Sequence, residues 1–82
     1  MKIMKAIMYW TSKCSWCYRV ANMLNNNEIE VEKIDVSESK ENLKSMKEAA
    51  GKNVNTVPQV IIDGKYVGGY TEVERYINNN RL

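Results

Sequence analysis

Two cysteines with two residues between them, Cys14-Ser15-Trp16-Cys17, come soon after the apolar run Ala6-Ile7-Met8-Tyr9 and open a stretch of helical periodicity. This arrangement predicts a strand handing over to a helix at the first sulfur, because a two-residue gap brings two sulfurs together across one helical turn. Such a junction sets Cys14 beside helix N–H groups that lack intrahelical partners and favour a thiolate. The chemistry indicated is thiol–disulfide exchange. Structural stapling explains the pair poorly, since a disulfide closing so small a loop removes little unfolded-state entropy. A secreted mini-protein would usually carry four or more cysteines bridging distant segments, and this chain has two.

At 82 residues the chain predicts a single domain, residues 1–82, with one core and no second lobe. Charged residues make up 27% of it but are dispersed, and the net charge is only +2, which argues against a nucleic-acid partner. Lys2 and Lys5 interrupt any apolar leader, and no run approaches the roughly 20 apolar residues of a membrane span. The expectation is a soluble monomer in the cytoplasm, or in the host cytoplasm if the chain is viral, with no membrane partner.

The first strand is predicted over Lys2 to Tyr9, with Trp10 to Lys13 as the turn leaving it. Cys17, Val20, Ala21 and Leu24 fall on one face of a first helix, which Asn25-Asn26-Asn27 ends because Asn tolerates left-handed angles at C-caps. Ile29 to Val36 reads as a second strand despite Lys33. Ser37 or Ser39 caps a second helix with Leu43, Met46 and Ala50 inward and Gly51 as its stop. Asp63-Gly64 joins the short strands Gln59–Ile62 and Lys65–Val67 as a two-residue hairpin. Thr71 with Glu74 is the expected capping box of a last helix, with Val73 and Ile77 inward and a fraying Asn78-Asn79-Asn80 tail. The order is β-α-β-α-β-β-α. It makes an α/β fold with a four-stranded mixed sheet, the first pair of strands parallel and the last antiparallel, flanked by three helices on both faces.

Three landmarks, Cys14-Ser15-Trp16-Cys17, Thr56-Val57-Pro58 and Gly68-Gly69, stand in the order and spacing of the glutaredoxin branch of the thioredoxin-like fold, which the whole chain resembles. The resemblance implies a cis Val57–Pro58 peptide that sets that loop against the dithiol. It also implies glutathione as co-substrate, no tightly bound organic cofactor, and disulfide-containing or glutathionylated proteins as substrates. Related redoxins that draw electrons from thioredoxin reductase serve ribonucleotide reductase, which is the alternative partner. Departures from the family pattern fall at the dithiol and after the Gly-Gly pair. Ser15 and Trp16 replace the commonest Pro and Tyr, and Thr11 stands where a glutathione-binding Lys is usual. Tyr70, Thr71 and Glu72 follow Gly68-Gly69 in place of an Asp pair.

On this reading Cys14 is the attacking thiolate, ionised more readily than a free thiol by the helix terminus and by Lys13. Cys17, one turn in on the apolar face, is the more buried resolving thiol, a role compatible with plain core packing. Trp16 offers an aromatic rim to substrate or caps the core. The family resemblance gives Val57, before Pro58, a strand-like backbone contact with an extended substrate. It gives Gly69, Tyr70 and Thr71 the γ-glutamyl carboxylate of glutathione, although Thr71 serves equally as a helix cap. Lys13 either pairs with a substrate carboxylate or is a solvated charge. With no His in the chain, two thiols fill only half of a zinc site. A [2Fe–2S] cluster shared between two subunits, each giving Cys14 with glutathione, is the alternative to redox exchange, because it is sometimes seen in glutaredoxin-like chains with Ser in place of the motif Pro.

Overall fold

A computed structural model describes residues 4–79. Lys2 and Ile3 of the expected first strand and Asn80 of the expected tail lie outside them. The elements are β1 (Met4–Trp10), α1 (Ser15–Asn26), β2 (Ile29–Asp35), α2 (Lys40–Ala50), β3 (Gln59–Ile62), β4 (Lys65–Gly68) and α3 (Tyr70–Asn79). The element order and the four-stranded mixed sheet are those predicted, with β1 and β2 parallel and β3 and β4 antiparallel. The strands lie in the order β2-β1-β3-β4, so that β1 also pairs antiparallel with β3.

Alternation along the strands divides the sheet into two unequal faces. Ala6, Met8, Ile29, Val60 and Ile62 point to one face and pack with Cys17, Val20, Ala21 and Leu24 of α1 and with Val73 and Ile77 of α3. This is the main core. The opposite face carries Tyr9, whose hydroxyl meets Ser45 Oγ of α2 at 2.8 Å, and α2 covers β3 and β4 there with Met46 buried. Cover on this second face is thus partial. Beyond α2 it presents Lys5, Glu30 and Glu32, all exposed, as suits a face left open to solvent.

Several boundaries differ from the sequence expectation for identifiable reasons. Trp10 continues β1 instead of starting a turn, because it pairs with Asp35 and its carbonyl accepts from Val36 N–H at 3.0 Å. At the end of α1 the left-handed residue is Glu28 (φ 62°), while Asn27 stays at φ −104° and donates Nδ2–H to the Met23 carbonyl at 2.8 Å. That side-chain bond lets Asn27 finish the helix without a left-handed turn. Ser39, not Ser37, caps α2, accepting from Asn42 N–H at 3.1 Å, a bond worth about 1 kcal/mol. Ser37 instead donates to Asp35 Oδ1 at 2.6 Å in a local turn. Of the expected inner positions of α2 only Met46 is fully buried; Leu43 and Ala50 are half-buried, and Gly51 stops the helix at φ 70°.

The entry to α3 lies two residues earlier than the Thr71–Glu74 box predicted. Gly68 adopts φ 129° and turns the chain, so that Val73 N–H already bonds the Gly69 carbonyl at 2.9 Å. Glu72 Oε1 reaches back to accept from Gly69 N–H at 2.9 Å. Thr71 is therefore inside the first turn, and Gly69 with Glu72 forms the cap.

Candidate active site

Cys14 stands at the N-cap of α1 in extended backbone, with its sulfur accepting from Cys17 N–H at 3.1 Å. It therefore does what a Ser or Asp cap does, and an anion at this position is favoured by both the N–H and the helix dipole. Cys14 and Cys17 form a disulfide, their Cα atoms 5.3 Å apart. The two sulfurs differ in access: Cys17 is 0% exposed in the core, whereas Cys14 is half-buried at its edge. The Val57 carbonyl oxygen lies 3.7 Å from the Cys14 sulfur. This contact becomes a hydrogen bond only when the sulfur carries a proton.

The Val57–Pro58 peptide is cis, as the resemblance implied. Beside it opens a cleft of about 430 Å³. One wall is Thr56, Val57, Pro58 and Gln59; the other is the entry to α3, from Gly69 through Tyr70 and Thr71 to Glu72, with Trp16 at the rim. The walls meet closely, since a β-carbon on Gly69 would lie 3.4 Å from the Pro58 carbonyl. Trp16 is 50% exposed, packs edge-on to Tyr70 with ring centroids 5.0 Å apart, and lies under the Arg19 guanidinium at 4.9 Å. Trp16 therefore ties the start of α1 to the α3 wall of the cleft and is not among the residues packed on the core.

Six residues singled out from sequence, Trp16, Val57, Pro58, Gly69, Tyr70 and Thr71, thus come together in one cleft beside Cys14. Lys13 does not join them. It is exposed, lies outside the cleft lining and forms no ion pair among the described residues. Three contributors were missed. Glu72 puts a carboxylate on Gly69 N–H, one of the donors expected to be free for a ligand. Gln59 is buried behind the loop, and Arg19 stacks on Trp16. The Glu72 bond follows from a capping box shifted by two residues, and Arg19 lies three residues after Trp16 on the same helix face. Gln59 carried no sequence signal beyond its place next to Pro58. Among the described residues no group of three or more His, Cys, Asp or Glu side chains is placed to hold a metal ion. A cluster shared between subunits would draw on Cys14 alone from this chain.

Comparison with known proteins places this arrangement. A family model described as Glutaredoxin matches residues 6–67, a span that takes in the dithiol and the Thr56-Val57-Pro58 loop. The chain belongs to the glutaredoxin family. This glutaredoxin is 28% identical over 82 residues to glutaredoxin 1 of Escherichia coli (strain K12), covering 94% of this chain and 96% of the relative. Glutaredoxin 1 of Rickettsia typhi (strain ATCC VR-144 / Wilmington) is 32% identical over 78 residues, covering 93% of this chain and 73% of its own length. The solution structure of glutaredoxin from Brucella melitensis superposes with a TM-score of 0.75 at 29% identity, covering 96% of this chain and 85% of that one. Family and cysteine pair together make the protein a thiol–disulfide oxidoreductase with the thioredoxin-like fold. No helix among the described residues is long and apolar enough to cross a membrane.

Proposed function

We propose that this glutaredoxin is glutathione-dependent and reduces protein disulfides or glutathionylated thiols through Cys14 and Cys17. In its reduced form the Cys14 thiolate attacks one sulfur of the substrate disulfide. A Cys14–substrate bond forms, the substrate bond breaks, and the departing thiolate takes a proton from solvent. Cys17, deprotonated, then attacks the Cys14 sulfur, releases the second substrate thiol and leaves the Cys14–Cys17 disulfide; two electrons have passed to the substrate. Two glutathiones restore the dithiol and leave as glutathione disulfide. With a glutathionylated substrate, Cys14 takes the glutathionyl group and a second glutathione resolves it.

The observation that carries this reading is the unequal placement of the two sulfurs. The half-buried one caps α1 beside the cleft and the fully buried one lies a turn behind. That asymmetry supports attack by Cys14 and resolution by Cys17. Glutathione dependence is supported by the family's co-substrate and by the cleft between the cis-proline loop and the start of α3. There the Tyr70 and Thr71 N–H groups precede the first intrahelical bond and suit a carboxylate. An extended substrate segment would pair with the Val57 backbone.

The test is reduction of a glutathionylated peptide with two alternative electron sources. Turnover is expected with glutathione and glutathione reductase and to be at least about tenfold slower with thioredoxin reductase alone. Equal or faster turnover with thioredoxin reductase would reassign the reductant.

A further inference from the structure

Behind the cleft a line of hydrogen bonds runs from the edge strand to the loop facing the sulfur. Tyr66 of β4 donates its hydroxyl to Gln59 Oε1 at 2.6 Å. Gln59 Nε2 in turn donates to the Thr56 carbonyl at 3.0 Å and to Thr56 Oγ1 at 3.3 Å. Gln59 is only 7% exposed and is the sole polar side chain in the buried set among the described residues. Such a group is kept only when its donors and acceptors are matched. The Thr56 carbonyl settles the match: it can only accept, so the amide turns Nε2 toward Thr56 and leaves Oε1 to accept from the Tyr66 hydroxyl.

The loop that receives these bonds has few backbone bonds of its own, although at its end Val57 packs against the core and Pro58 is buried. Residues 52–58 contain no helix or strand, and their one internal backbone bond is Val54 N–H to the Lys52 carbonyl at 2.9 Å. Lys52, at the start of the loop, places its ammonium 5.7 Å from the Tyr66 ring centroid, a second tie to the same tyrosine. Burial first, and the Glu72 carboxylate second, push the Tyr66 hydroxyl above its ordinary pKa, so it stays a donor throughout the range in which thiolates react. Next along the chain from Thr56 comes Val57, whose carbonyl stands 3.7 Å from the Cys14 sulfur.

We propose that Tyr66 and Gln59 are positioning residues, locking the Thr56–Val57–Pro58 edge beside Cys14 so that a peptide substrate finds its backbone partners already in place. This rests on the reading that an extended substrate pairs with Val57. Neither side chain takes part in sulfur chemistry, and Tyr66 also stands outside the cleft lining, so loss of its hydroxyl falls on substrates with a peptide backbone and spares small disulfides.

The experiment compares wild type, Tyr66→Phe, Gln59→Leu and the double variant on a glutathionylated peptide and on a small dialkyl disulfide with no amide groups. Tyr66→Phe keeps the ring and removes one hydrogen bond. It is expected to raise KM for the peptide about three- to tenfold with kcat within about twofold, and to leave turnover of the small disulfide unchanged. The double variant is expected to be no worse than Gln59→Leu, because the two act in series. Four results would overturn the proposal in variants whose thermal unfolding matches wild type. These are an unchanged peptide KM in Tyr66→Phe, an equal loss on both substrates, additive losses in the double variant, and a fall in kcat alone. Wild-type protein inert toward the peptide but active on the small disulfide would overturn both this proposal and the docking reading beneath it.

Discussion

Replacing Cys14 by Ser is expected to lower kcat/KM for a glutathionylated peptide by about three orders of magnitude or more, because a hydroxyl at that position neither ionises near neutrality nor forms a disulfide. Replacing Cys17 by Ser is expected to leave substantial activity toward the same peptide. Cys14 sits at the cleft and can hand its glutathionyl group to a second glutathione, whereas Cys17 is sealed in the core. Toward an intramolecular protein disulfide the Cys17 variant should fail, since release of that mixed disulfide needs the second sulfur. The steady-state glutathione reductase assay on both substrates separates the cases. Equal loss in the two variants on the peptide would mean that only the dithiol route operates.

Leu24→Ala should be the most damaging core truncation for stability. Leu24 is fully buried where α1 packs on the sheet, among Val20, Ala21, Val60 and Val73 of the same cluster. Removing a buried leucine side chain costs about 2–5 kcal/mol, the spread reflecting how far the site collapses. A small domain has a net stability of only about 5–15 kcal/mol. Chemical denaturation should therefore show a midpoint lowered by a large fraction, and thermal unfolding a Tm reduced by more than about 10 °C. Leu43→Ala on α2 is the control. Leu43 is half-buried and stands outside the main core, so its loss should cost markedly less. Similar losses for the two would mean that the weight of the core is not on the α1–α3 face.

The fold was readable because local signals agreed with one another. The apolar face at Cys17, Val20, Ala21 and Leu24, the Asp63-Gly64 turn with φ values of 50° and 82°, and Gly51 as a left-handed stop each specify one backbone state. What could not be read depended on partners distant in sequence or on choices between neighbouring caps. Three Asn residues in a row suggested a left-handed end for α1, yet Asn27 found a side-chain bond to Met23 and passed the strained angle to Glu28. At α3 two overlapping capping boxes competed. The one using Gly69 and Glu72 won because Gly68 at φ 129° turns the chain before Thr71 can act as a cap.

The candidate site shows the same division. Its motif residues were readable through the family resemblance, which singled out the Thr56-Val57-Pro58 loop and Gly69, Tyr70 and Thr71; the fold brings these with Trp16 to one cleft. Lys13 was singled out for its charge next to Cys14, but adjacency in sequence sends the two side chains different ways at the start of a helix, and Lys13 points to solvent. The Tyr66–Gln59–Thr56 line joins β4 to the loop across strand pairing. No spacing rule announces such a contact. The edge-on contact of Trp16 with Tyr70 likewise joins α1 to α3 and had to await the fold.

The proposed chemistry requires Cys14 to be the more accessible, ionisable sulfur and Cys17 the sheltered one. The direct measurement is brief treatment of fully reduced protein with a limiting amount of iodoacetamide at pH 7, followed by digestion and mass spectrometry of the two cysteine sites. The label is expected on Cys14, with Cys17 essentially unmodified. Labelling of Cys17 to an equal or greater extent would contradict the proposed chemistry.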